Sequence, residues 1–169
     1  MRTLSFVGNP LEHHKLDSID MNILAELQAD GRITNVELSR RAKITAPPCL
    51  RRMRALEKAG YILGYHADLD AKLLGFEVTG YAFVGLASQH DHDLKQFEEH
   101  VRSWPEVREC YMLSGEVDFI LKCVAKDLAS FQSFITEKLT AEKNVASVKT
   151  ALAIHASKID PGVPLEAKG

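Results

Sequence analysis

Cysteine is scarce in this 169-residue sequence: three residues, Cys49, Cys110 and Cys123, with no C-x-x-C pair. Any disulfide scheme leaves one thiol over, which points to a reducing compartment, and burial in a core is the ordinary fate of such thiols. Long apolar runs are missing too. No stretch approaches the roughly 18 apolar residues of a membrane-spanning helix, and the first ten residues hold too short an apolar segment for a signal peptide. The chain is therefore expected to be soluble and cytoplasmic, with no membrane partner. G-x-S-x-G, G-x-G-x-x-G and P-loop patterns are absent. No catalytic residue and no cofactor is expected. His90-Asp91-His92-Asp93 contains metal-ligand types, but no second cluster completes a coordination set, and acids suit the start of a helix, so no metal is expected either.

An excess of one charge is also lacking, since 21 Lys+Arg stand against 23 Asp+Glu for a net −2. The average hides a gradient. Residues 1–66 carry ten basic against seven acidic side chains, and residues 67–169 carry eleven against sixteen. Between Arg40 and Lys58 lie seven basic residues (Arg40, Arg41, Lys43, Arg51, Arg52, Arg54 and Lys58) and a single acid, Glu57. Such asymmetry suggests that one half meets a polyanion and the other does not.

What is present, at 46% hydrophobic residues, is enough for one or two packed cores. In the basic half, Ile19, Ile23, Leu24 and Leu27 fall at helical spacing behind an N-cap at Asp17, and Gly31 marks the stop. Thr34-Asn35-Val36-Glu37 reads as a capping box opening a two-turn helix whose inward residues are Val36, Leu38 and Ala42. Lys43-Ile44 makes a tight connection, and Thr45 caps a third helix with Pro47 and Pro48 in its first turn, where a missing N–H costs little. At 100° per residue, Cys49, Leu50, Met53, Leu56 and Gly60 share one side of that helix. Arg51, Arg54, Ala55 and Lys58 lie opposite, with Arg52 on the flank. A solvated basic face is the plain reading of such a helix alone. A short helix, a tight turn and a second helix with an acid-free N-terminus form a helix-turn-helix, whose second helix enters the DNA major groove. The candidate DNA contacts are Asn35, Ser39, Arg40, Thr45, Ala46, Pro47, Pro48, Arg51, Arg52, Arg54 and Lys58. Gly60 to Leu69 alternates bulky residues around Gly64, as a β-ribbon wing would.

The acidic half reads as strand-helix-strand, twice. Strands are expected over 78–87, 107–113, 117–125 and 145–155, and helices over 91–104 and after Asp127, the latter turning Leu128, Phe131, Ile135 and Leu139 inward. Ser114-Gly115-Glu116 joins the middle strands as a hairpin. The order βαββαβ is the ferredoxin-like (ACT-like) split motif, with both helices on one sheet face. Residues 117–125 carry large apolar side chains on both faces, Phe119 and Leu121 against Ile120 and Val124. The uncovered face needs a partner, and a two-fold dimer supplies one. The fold class is thus α+β, divided as extension 1–14, winged helix-turn-helix 15–66, linker 67–77, ferredoxin-like domain 78–157 and tail 158–169. The two terminal pieces, including His13 and His14, are expected to be mobile.

Several runs together resemble the Lrp/AsnC family of feast/famine transcription regulators: Leu16-Asp17-Ser18-Ile19-Asp20, Asp30-Gly31-Arg32-Ile33, Asn35-Val36-Glu37-Leu38-Ser39, Arg54-Ala55-Leu56-Glu57-Lys58-Ala59-Gly60-Tyr61-Ile62 and Ser114-Gly115-Glu116-Val117-Asp118-Phe119. The similarity extends from about Leu16 to Ala156. It implies a prokaryotic, nucleoid-associated regulator that binds double-stranded DNA, forms homodimers and tetramers of dimers, and senses a small amino acid between sensing domains. It places the effector site at Ser114, Gly115, Glu116, Val117 and Asp118. A zwitterion needs an acceptor for its ammonium and donors for its carboxylate, which turn N–H groups and a carboxylate can provide. For Gly115 turn geometry at positive φ is the competing role, and for Asp118 a hairpin hydrogen bond. Two other functions compete with an effector-responsive regulator: a nucleoid-organising protein that bends DNA without effector, and an amino-acid-metabolism enzyme with an intersubunit site.

Overall fold

A computed structural model of the chain describes residues 16–165. Contacts divide these into two units, one of residues 16–68 with 160–165 and one of Leu69–Ile159. The first division falls inside the linker expected over 67–77.

In the first unit, α1 (Ser18–Ala29), α2 (Asn35–Arg41) and α3 (Ala46–Lys58) follow from their caps. Asp17 accepts from Asp20 N and Asp20 reaches back to Asp17 N, a reciprocal capping box. Thr34 caps α2 by accepting from Glu37 N, but the box expected there is only half made. Glu37 turns instead to Arg40 and Arg41, whose guanidinium groups are the stronger partners. Lys43, at φ 56°, takes the left-handed conformation that lets α3 turn sharply away from α2. Ile23, Leu38, Ala42, Cys49 and Leu56 are the buried core, with Met53, Tyr61 and Ile62 packed on it. Val36, expected inward, is 71% exposed, because α2 has room on its short inner face only for Leu38, Ser39 and Ala42. The β-ribbon expected over Gly60–Leu69 does not form; the segment carries no strand. An isolated two-stranded ribbon is marginal, and the tyrosines of the segment turn to the helices: Tyr61 packs on their core and Tyr65 donates its hydroxyl to Glu57 on α3.

The second unit is a four-stranded antiparallel sheet in the order β2-β3-β1-β4, from β1 (Val78–Leu86), β2 (Val107–Met112), β3 (Phe119–Ala125) and β4 (Val145–Leu152). α4 (Asp91–Ser103) follows β1, and α5 (Leu128–Ser133) follows β3 and runs into a π-helical segment, Phe134–Leu139. This is the ferredoxin-like order anticipated from βαββαβ. Burial alternates along β1 and β3, so Ala82, Val84, Phe119, Leu121 and Cys123 form the core with Phe97, Val101, Phe131, Phe134 and Leu139 from the helices. The π segment was not anticipated. Thr140 N bonds Ile135 O, and the widened turn lets Phe134 and Leu139, five residues apart, both be buried, whereas Leu128 is left exposed. Gly80 admits the Phe131 ring: a Cβ there would lie 2.6 Å from it. Cys49 and Cys123 are buried, as expected of free thiols, while Cys110 is half-buried; burial pushes the Cys110 and Cys123 thiols up to about 12.

The other sheet face aligns Tyr81 with Lys122, Phe83 with Ile120, and Tyr111 with Ile120, an apolar band crossed by a Glu109–Lys122 ion pair at 2.7 Å. Residues 160–165, expected to lie in a mobile tail, belong to the first unit. Phe119 is fully buried and touches the Phe97 ring at 4.8 Å between centroids. Phe119→Ala should lower the stability of the second unit by about 3–5 kcal/mol, measured by urea unfolding followed through Trp104 fluorescence.

Candidate functional site

The candidate DNA contacts separate into groups according to what already holds them. Asn35 Nδ2 donates to Ala46 O at 3.0 Å, tying the start of α2 to the start of α3. Ser39 is buried and donates to Val36 O at 2.8 Å. Asn35 is half-buried, and its Oδ1 has no hydrogen-bond partner among the described residues. Arg40 is exposed but grips Glu37 through Nε and Nη2 at 2.9 and 2.7 Å, while Arg41 bridges Glu37 and Glu26 at 2.7 and 2.8 Å. These two guanidinium groups hold the Glu37 carboxyl down at about 2, against an ordinary value of 4.5. Arg52, expected on the flank of the basic face, turns inward. One Nη1 atom bonds Asp17 Oδ2 and Asp20 Oδ1, both at 2.8 Å, and Asp20 is only 4% exposed.

What remains is a smaller set. Thr45 stands at the N-cap of α3 with no cap hydrogen bond from its hydroxyl, followed by Ala46, Pro47 and Pro48 in the first turn, of which Pro47 is exposed. Arg51, Arg54 and Lys58 are exposed along the outer face and make no ion pair among the described residues. Lys43 joins them from the turn. It was missing from the expected contacts, although its place between two helices was a signal that could have found it. Four cations and an acid-free helix start suit a phosphate backbone flanking a groove.

In the second unit, Ser114, Gly115 and Glu116 are consecutive and exposed between β2 and β3, with Val117 and Asp118 half-buried. Asp118 closes the base of this loop. Its N–H donates to Val84 O at 2.9 Å, its carbonyl accepts from Leu113 N at 2.8 Å, and its Oδ2 accepts from Leu86 N at 2.6 Å. The carboxylate thus bonds β1, and only the Asp118 carbonyl bonds within the hairpin. Gly115 has positive φ, 158°, and open space around its Cα. Three exposed residues cannot enclose a ligand alone, so the loop supplies at most one wall of a site. At the start of α4, Asp91 pairs with Lys95 and Asp93 accepts from Ser88 Oγ, and among the described residues no three His, Cys, Asp or Glu gather as a metal would require. No helix among them is long and apolar enough to cross a membrane.

A three-helix reading head with an open cationic helix face, joined to a ferredoxin-like domain with an exposed hairpin loop, defines a ligand-responsive DNA-binding regulator. The comparisons agree: residues 16–62 match the winged helix-turn-helix DNA-binding model, and residues 79–163 match the Lrp/AsnC ligand binding domain. A leucine-responsive regulatory protein of Rhizobium meliloti is 57% identical over 144 residues, 85% of this chain and 92% of that protein. The Bkd operon transcriptional regulator of Pseudomonas aeruginosa is 37% identical over 89% of this chain and 99% of its own. Among solved structures, a Neisseria meningitidis transcriptional regulator in complex with L-Met superposes with a TM-score of 0.84 at 33% identity, over 89% of this chain and 97% of the other. The chain belongs to the Lrp/AsnC family of transcriptional regulators.

Arg52→Ala should destabilise the first unit by about 2–3 kcal/mol, because it leaves the buried Asp20 carboxylate unpaired beside Asp17. Arg54→Ala should stay within about 0.5 kcal/mol; thermal unfolding of both variants checks the contrast. The Glu37 carboxyl is depressed on folding, so its stabilising contribution is complete above pH 4.5 and lost as pH falls towards 2. Acid titration of Glu37→Gln should lack that component, so the variant is less stable than the parent at neutral pH and the difference closes as pH falls towards 2.

Proposed function

We propose that this regulator reads operator DNA with α3 and responds to a small amino acid bound where the β2–β3 loops of the ligand-binding domains meet other copies of the chain. One observation carries the DNA half of the reading: of the seven basic residues between Arg40 and Lys58, Arg40, Arg41 and Arg52 are neutralised internally. Those left open, Arg51, Arg54 and Lys58 with Lys43, accompany the uncapped N-terminus of α3. Thr45, Ala46, Pro47 and Pro48 then meet base edges, and the four cations hold phosphates on either side. Arg52, Asn35, Ser39 and Arg40 position α2 and α3 rather than touch DNA.

The apolar band of Tyr81, Phe83, Ile120 and Tyr111 supports a two-fold dimer built sheet against sheet, with tetramers of dimers above it. In such an assembly a second chain closes over Ser114, Gly115, Glu116 and Val117. Exposed loop N–H groups receive the amino acid's carboxylate and Glu116 its ammonium group, while Asp118 keeps the loop in shape. The L-Met complex of the Neisseria relative supports an amino acid as the effector class. The effector alters DNA binding only through different affinity for two arrangements of the assembled chains. The cytoplasm, with the nucleoid, is the compartment this activity requires.

Gel shifts on the DNA upstream of the protein's own gene, with and without each of the twenty amino acids, test the reading. At least one amino acid should change the affinity; DNA binding unaffected by all twenty would favour a nucleoid-organising role, and no DNA binding would refute both. Arg51→Ala and Arg54→Ala should each reduce the slope of log K against log salt by about 1, and Arg52→Lys should leave it unchanged. Glu116→Gln should abolish the amino-acid response while DNA binding and sedimentation stay as in the parent.

A further inference from the structure

We infer that Asp160–Leu165 is a built-in clasp: this segment is held against the C-terminal half of α1 on the DNA-reading unit by paired hydrogen bonds to Gln28. The contact is specific in chemistry as well as place. The Gln28 carboxamide makes both of its hydrogen bonds to one residue of the segment, Nε2 donating to Val163 O at 2.7 Å and Val163 N donating to Oε1 at 3.0 Å. It thereby copies the two-bond pairing of an adjacent β-strand residue. Asp160-Pro161-Gly162-Val163 has Pro at the second and Gly at the third position, the sequence of a type II turn, and Gly162 has the positive φ that turn needs, 98°. Glycine is required by the backbone, and a Cβ at Gly162 would push the Gln28 carboxamide out of the place from which it bonds Val163. Pro164 then sits inside a three-residue turn closed by Leu165 N donating to Val163 O at 2.8 Å. Gly162, Val163 and Leu165 wall one side of a groove of about 450 Å³ whose other side is formed by Leu24, Leu27 and Tyr61.

Two prolines restrict the free segment, which lowers the ordering cost of docking. The occupant is identified by connectivity. The last strand, β4, ends at Leu152 and the second unit at Ile159, directly before the segment, so the tether presents it at an effective concentration near the millimolar range. The consequence is that Leu69–Ile159 is joined to the DNA-reading unit at both its ends rather than through the single connection after Asp68. Polar contacts of this kind, with a half-exposed groove, are of the strength that opens and closes rather than locks.

Hydrogen exchange on the full-length protein tests the clasp without reference to any effector. Peptides covering 24–29 and 160–165 should both be protected in the parent chain. In Gln28→Ala and Gly162→Val each should exchange at least tenfold faster, with the strands of 78–152 unchanged. A synthetic peptide of residues 159–165, added to full-length Gly162→Val, should then shift the NMR signals of Leu24, Leu27 and Gln28 with a millimolar Kd, and the same peptide with Gly162→Val should not. Parent residues 160–165 exchanging at free-peptide rates would overturn the inference, as would equal binding by the two peptides. Because neither readout involves DNA or an amino acid, failure here leaves the operator and effector reading intact, and the absence of an amino-acid response leaves the clasp intact.

Discussion

The Asp20–Arg52 ion pair is the constraint on which the reading head depends. A carboxylate at 4% exposure must be neutralised, and the guanidinium that neutralises it comes from the middle of α3. The same nitrogen also bonds Asp17, the N-cap of α1, so a single side chain joins the start of the first helix to the recognition helix. Its commitment has a second effect, on charge. Arg52 leaves the pool of cations available to a polyanion, as Arg40 and Arg41 do through Glu37 and Glu26, and the open charge concentrates on Arg51, Arg54, Lys58 and Lys43. A net charge of −2 for the whole chain is compatible with DNA binding because pairing, not total charge, decides which cations face outward.

The ligand-binding domain is governed by a different constraint: one layer of helices covers one face of a sheet. The aromatic contacts Phe97–Phe119 and Trp104–Phe134 complete that layer, and the π-helical segment is the local adjustment that turns both Phe134 and Leu139 inward. The opposite face, with Phe83 opposite Ile120 and Tyr81 opposite Lys122, is left uncovered by the helices. The loop that carries Ser114–Glu116 is anchored at its base by Asp118, which bonds Leu113, Val84 and Leu86. The 114–116 loop and the uncovered face thus belong to one sheet.

Much of this was legible in the residues. Caps act across three or four positions, and Asp17, Thr34, Thr45 and Asp127 each stand at the helix start expected of them. Periodicity separated helices from strands, and the order of those elements was enough for a helix-turn-helix followed by βαββαβ, because few topologies satisfy that order. The unpaired apolar face of residues 117–125 was visible in the alternation of Ile120 and Val124 with Phe119 and Leu121. Misjudged features were those in which a local pattern had a distant competitor. Glu37 had the position of a capping-box acid but was claimed by Arg41 and Arg40, and residues 60–69 had the alternation of a wing but form no strand.

By itself the sequence determined the elements, their order and the sign of charge on each half, since helix caps, hydrophobic period and composition are properties of near neighbours. Tertiary structure alone decided which charges stay open and which glycine is indispensable. Arg52 meets Asp17 and Asp20 across 35 and 32 residues, and Gln28 meets Val163 across 135. No pattern within a helical turn encodes such meetings. They exist because packing two cores brings distant polar groups into hydrogen-bonding range, and burial then makes leaving them unpaired costly.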